Sequence, residues 1–149
     1  MNIPIDLNRR WISGLHQGMN RLEDGTKLEI MKPAASHCVV DILSLCEKYL
    51  GKEIDSVDDL LSGWNMLRKD RGLNGNWVYE GTLIRGIFSE CGCPLVRSGL
   101  IELDSVQCFC SQNMMENIFS RTAKRGVNVK IERSIGRGDS VCEFVITYL

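Results

Sequence analysis

The chain has 149 residues, 44% apolar and 25% charged, which is the composition of an ordinary folded domain and excludes a disordered chain. Eighteen Lys and Arg against nineteen Asp and Glu give a net charge of −1, so there is no basic excess to track a phosphate backbone, and nucleic acid is not an expected partner. No apolar run approaches the roughly 20 residues of a membrane helix. The opening Met1-Asn2-Ile3-Pro4-Ile5-Asp6 lacks the basic and apolar regions of a signal peptide. The expected location is therefore the cytoplasm.

Residues 1–149 are expected to form a single α+β domain, with N-terminal helices packed on an antiparallel β-sheet that ends in a C-terminal β-hairpin. Leu7, Trp11, Leu15, Met19 and Leu22 recur at helical spacing and predict a first helix with a buried apolar stripe, ended at Glu23-Asp24-Gly25. A second helix is predicted from Pro33, tolerated in a first turn, to the capping Gly51. Its apolar face carries Ala35, Cys38, Val39, Ile42, Leu45, Cys46 and Tyr49. The third begins at Ser56 with Asp59 in a capping-box-like arrangement, buries Leu60, Leu61, Trp64 and Leu67, and closes at Gly72.

The period then changes. Asn74-Gly75-Asn76 reads as a turn, and Trp77–Tyr79 and Thr82–Ser89 as strands, the latter apolar on both faces. A short helix is predicted after Ser111, bearing Met115, Ile118, Phe119 and Thr122. Val127, Val129, Ile131 and Ile135 alternate with polar residues in a strand that turns at Gly136–Ser140. The last strand places Cys142, Phe144, Ile146 and Tyr148 on one face. An apolar cavity is expected where Met115 and Phe119 meet Phe144 and Ile146. Uncovered apolar groups on Thr82–Ser89 predict a homodimer or larger assembly.

Seven cysteines is an odd number, at a density below that of a secreted disulfide scaffold, and the expected reducing compartment favours core, metal-ligand or redox roles over structural disulfides. Cys91, Cys93, Cys108 and Cys110 form two C-x-C pairs. Four thiolates can close a tetrahedral zinc or iron–sulfur site, although structural zinc sites more commonly use C-x₂₋₄-C. On a strand, residues i and i+2 share a face, so each pair would line one side of a cavity. Metal binding, redox or direct ligand contact, and plain packing all fit this pattern. Cys142 is a fifth candidate ligand or a core residue; Cys38 and Cys46 read as helix packing. His37 and His16 read as ordinary helical residues, so no hydrolytic triad is supported. Gly136-Arg137-Gly138-Asp139 reads as a turn and not a phosphate loop.

From Leu83 to Leu149, the order C-x-C-P-L-V, C-x-C-S, helix, strand and then S-I-G-R-G-D-S-V-C-E-F-V-I resembles the 4-vinyl reductase-type domains. That group includes hydrocarbon-binding and methanogen output-like domains, and is related to an uncharacterised bacterial single-domain family. A looser resemblance is to L-2-amino-thiazoline-4-carboxylic acid hydrolases. The resemblance implies an α+β ligand-binding fold shared with haem–nitric-oxide-binding and transport-particle domains. It also implies a small or apolar ligand, with Cys91, Cys93, Cys108, Cys110 and Cys142 as ligands of a metal. The leading expectation is thus a small-molecule-binding or sensing domain. The alternatives are a metal- or thiol-dependent hydrolase, using nearby Glu90, Glu102 or Asp104, and a protein-interaction module anchored by Trp64 or Trp77.

Overall fold

The computed structural model describes residues 4–149. Five α-helices, α1 (Ile5–Met19), α2 (Asp24–Leu50), α3 (Val57–Asp70), α4 (Pro94–Arg97) and α5 (Val106–Ala123), combine with four strands, β1 (Trp77–Glu80), β2 (Leu83–Phe88), β3 (Val127–Arg133) and β4 (Cys142–Tyr148). The sheet is antiparallel throughout, in the order β1-β2-β4-β3, and the expected α+β architecture holds.

Pairing places Ile84 opposite Ile146, Gly86 opposite Phe144, and Val129 opposite Ile146, so one sheet face is apolar. That face packs into a single core with Val39 and Cys46 of α2, Leu60, Trp64 and Leu67 of α3, and Met115, Ile118 and Phe119 of α5. Ser56 caps α3 as expected, its hydroxyl accepting from the Asp59 amide at 3.1 Å. Trp77 is the hinge between layers. Its amide donates to Asn65 Oδ1 at 2.8 Å, and its carbonyl accepts from Asn65 Nδ2 at 2.9 Å, which fastens β1 to α3.

Two glycines are set by space. A Cβ at Gly86 would stand 2.7–2.8 Å from the rings of Phe88 and Trp77, so the strand can carry no side chain where the indole lies across it. Gly75 has φ +92°, and a Cβ there would sit 2.0 Å from the Ile87 carbonyl oxygen.

Several predicted boundaries move. The second helix begins at Asp24 and not at Pro33, which lies inside α2. Proline leaves the Glu29 carbonyl without its helical partner. The helix continues because α5 packs along it, with buried Asn113 donating to the Leu28 carbonyl at 2.7 Å. The last strand before the hairpin ends at Arg133, and Ile135 lies in a short 3-10 turn (Ile135–Arg137), where the Ser134 hydroxyl accepts from the Gly136 amide at 3.1 Å. The helix predicted after Ser111 begins at Val106, because the Asp104 carboxylate accepts from the Val106 amide at 2.9 Å and caps it.

The apolar stripe of α1 is the largest correction. Leu7, Trp11 and Leu15 are 48%, 63% and 48% exposed, and His16, read as an ordinary flank residue, is the buried one. The helix docks through its opposite side, where Asn8 donates to the Leu100 carbonyl at 2.7 Å and Arg9 pairs with Glu102 at 3.3 Å. The outward face of β2 differs as well. Arg85 sits between Leu83 and Ile87 and belongs to a ladder of charge across all four strands. It pairs with Glu80 at 2.7 Å and with Glu143, which in turn pairs with Arg133 at 2.8 Å. That face carries charge beside apolar groups, with Ile87 41% and Val78 50% exposed.

Gly86→Ala should therefore cost about 1–3 kcal/mol through overpacking, whereas Trp11→Ser should change stability by less than about 0.5 kcal/mol, as an exposed substitution does. Urea denaturation of both variants checks the contrast.

Candidate functional site

Beside the Trp77 hub the core opens into a cavity of about 280 Å³, close to the lower end of small-molecule sites, roughly 300 Å³. Its walls come from α2 (Cys38, Asp41, Ile42, Leu45), α3 (Trp64, Leu67, Arg68, Arg71), the sheet (Trp77, Phe88, Cys142, Phe144) and α5 (Cys108, Cys110, Met114, Met115). The loop Glu90–Pro94 closes the remaining side, contributing Cys91 and Cys93. The expected partners Met115 and Phe144 do face it. Phe119 and Ile146 do not, because both are fully buried in the packed aromatic and aliphatic core.

Six of the seven cysteines line this one space, Cys46 being the exception. Thus Cys38, which reads from the sequence as a packing residue, joins the five candidates. It comes from the partly buried side of α2 that faces α5, a placement that helical periodicity shows only as apolar. The strand geometry expected for the second C-x-C pair is overturned. Cys108 and Cys110 stand on α5, where residues two apart diverge by about 200°. Cys91 lies near its motif partner Cys93 and near Cys108 and Cys142, while Cys110 lies near Cys38 and Cys93, so the second pair divides between different neighbours. The Cys108 sulfur is 2.9 Å from the Ser134 hydroxyl, and the Ile135 amide donates to the Cys142 sulfur at 3.5 Å. Among the described residues, no three His, Cys, Asp or Glu side chains converge on a point where they would share a metal ion.

Burial disfavours the thiolate at four of the cavity's cysteines. Burial pushes Cys110 up to about 12, with Cys38 and Cys93 adding to the effect. Burial likewise raises Cys38, Cys91 and Cys142, the last two opposed in part by backbone hydrogen bonds. In the core next door, Cys46 also rises to about 12.

The carboxylates named for a hydrolase are engaged elsewhere. Glu90 lines the cavity, but it accepts from the Asn74 amide at 3.2 Å and pairs with Arg97 at 3.4 Å. Glu102 pairs with Arg9 near the surface, and Asp104 caps α5. Trp64 and Trp77, named as anchors for a protein partner, are 7% and 2% exposed and belong to the core.

Two polar features escaped the sequence reading. Arg68 is buried on the inner side of α3, and its guanidinium carbon lies 3.9 Å from the Phe88 ring centre. Trp77 Nε1 is buried without a hydrogen-bond partner. At α3 spacing, Arg68 follows Leu60, Leu61, Trp64 and Leu67 in the inward stripe, a polar interruption that marks the site.

No protein-family model matches the chain, and no curated protein matches it in sequence. Solved structures do. A trafficking protein particle complex subunit 3 from Naegleria fowleri, covalently bound to palmitic acid, superposes with a TM-score of 0.57 at 12% identity, covering 97% of this chain and 94% of that one. The phenol-responsive sensory domain of the transcription activator PoxR, solved with phenol, superposes with a TM-score of 0.52 at 14% identity, covering 97% of this chain and 72% of that one. The chain shares its α+β fold with both. Among the described residues no helix is long and apolar enough to cross a membrane.

Thiol reactivity checks the site's electrostatics. Because a raised pKa leaves little thiolate at pH 7, iodoacetamide should label Cys110 and Cys46 slowly in the folded protein, faster as pH rises, and rapidly in urea. Peptide mapping that found Cys110 alkylated early at pH 7 would contradict this.

Proposed function

We propose that this protein is a small-molecule-binding domain of the sensory type, and that its ligand occupies the cavity between α2, α3, α5 and the sheet. The observation that carries this reading is a space of about 280 Å³ left open inside an otherwise packed core, walled mostly by apolar and thiol side chains. Phenol and palmitic acid, held by the two structural neighbours, agree with an apolar ligand here. The 4-vinyl reductase-type resemblance supports the same reading through C-x-C-P-L-V and G-D-S-V-C-E-F, which supply Cys91, Cys93 and Cys142 to the cavity wall. In a Trp11→Phe background, which leaves the two tryptophans beside the cavity, phenol or hexanol should change the emission saturably and raise the melting temperature. A linear, unsaturable response with no thermal shift refutes the reading.

A second reading keeps Cys91, Cys93, Cys108 and Cys110, with Cys142, as ligands of zinc or an iron–sulfur cluster. It is favoured by the gathering of these thiols around one space. Binding would draw protons off the thiols, so a bound metal would stabilise the fold as well as the site. Native mass spectrometry after anaerobic purification should then show stoichiometric metal that Cys108→Ser reduces. Metal-free protein of full stability rejects it.

Self-association is proposed through α1, whose exposed Leu7, Trp11 and Leu15 form one apolar stripe. Light scattering should exceed the chain mass of 16.8 kDa at micromolar concentration and return to it in Trp11→Glu. A monomer mass throughout refutes a dimer.

A further inference from the structure

Arg68 is 7% exposed, lines the cavity, and forms no salt bridge among the described residues. Its Nη2 donates to the Asn74 carbonyl at 2.9 Å, but Nε is buried with no partner, and Nη1 has no acceptor among the described residues. The acidic group whose field reaches it, Glu90, is paired with Arg97. The Phe88 ring offers partial compensation through its π face. A cation removed from water without an anion is costly, and such groups are retained where something completes them. Around the guanidinium the chain also leaves room. Gly92 lies on the same wall, and a Cβ at that position would come within 3.2 Å of Nη1. A second unsatisfied donor, Trp77 Nε1, belongs to another residue of the same cavity. The site thus sets two unpartnered donors, Arg68 Nε and Trp77 Nε1, in residues that wall an apolar space flanked by Trp64, Met115 and Phe144.

Resting on the ligand-binding reading above, we propose that the ligand is a small apolar carboxylate, whose head group pairs with Arg68 while its body lies against the aromatic wall. Guanidinium and carboxylate match in a planar fork, which selects this head group over a neutral hydroxyl. The carboxylate supplies the missing negative charge, and the apolar wall rejects a more polar acid.

Calorimetric titration with two matched pairs, benzoate against benzyl alcohol and hexanoate against hexanol, tests the proposal in the wild-type protein. Each acid should bind at least about tenfold more tightly than its alcohol, the scale of one charge-assisted hydrogen bond. Arg68→Met should remove that preference while the alcohols still bind. Gly92→Ala, which crowds Nη1 and leaves the charge in place, should reduce it and so provides a variant independent of whether Arg68→Met folds. Alcohols that bind as well as the acids overturn the carboxylate proposal and leave the ligand-binding reading standing. A preference that persists in Arg68→Met overturns the role of Arg68. If neither acids nor alcohols bind, the ligand-binding reading fails and the proposal fails with it.

Discussion

The packing of Trp77 across Gly86 is the constraint on which the rest of the structure depends. The indole lies within 5.2 Å, centre to centre, of Trp64, Phe88 and Phe119, and 6.1 Å from Phe144, so one ring touches α3, α5 and two strands. Such aromatic pairs add about 0.5–1.5 kcal/mol each beyond their buried area. The two backbone hydrogen bonds to Asn65 fix where β1 meets α3, and the missing Cβ at Gly86 lets the ring descend onto the sheet. With that contact set, the inward faces of β2, β4 and β3 follow from register.

The cavity is the consequence of what surrounds this hub. On the side toward β3 the core fills with Ile118, Phe119, Val129 and Ile146, all large and interlocking. On the side toward Glu90–Pro94 the chain supplies cysteines, glycine and the buried Arg68, which are too small or too polar to close the space. Thiols suit such a wall, since each is apolar enough to face a ligand and small enough to leave it room. Raised pKa values keep Cys38, Cys91, Cys110 and Cys142 uncharged there, and Arg68 is the buried charged residue on the wall.

Charge on the opposite sheet face has a different effect. The Glu80–Arg85–Glu143–Arg133 ladder ties neighbouring strands together at the surface, where each pair contributes modestly but keeps the face wet. Helices therefore cover one side of the sheet only, and apolar groups stay exposed on α1 (Leu7, Trp11, Leu15) and on the open sheet face (Val78, Ile87).

The sequence by itself determined the fold class, the Ser56 cap, the closing hairpin and the apolar face of β4, because each is encoded in local periodicity or in a capping hydrogen bond between near neighbours. It also singled out the cysteines of the eventual cavity wall, apart from Cys38. What local pattern did not determine was which face of an element finds a partner. The α1 stripe has helical spacing, yet Asn8 and Arg9 dock the helix the other way through contacts more than ninety residues distant. Pro33 reads as a start, but packing against α5 carries α2 through it. The short Cys108-Phe109-Cys110 run fits either period, and the Asp104 cap resolves it as helix, which sends its two sulfurs to different neighbours. Only the tertiary structure left Arg68 without an anion, since the pairing of Glu90 with Arg97 and the approach of Gly92 are decided across the fold and by no local run of residues.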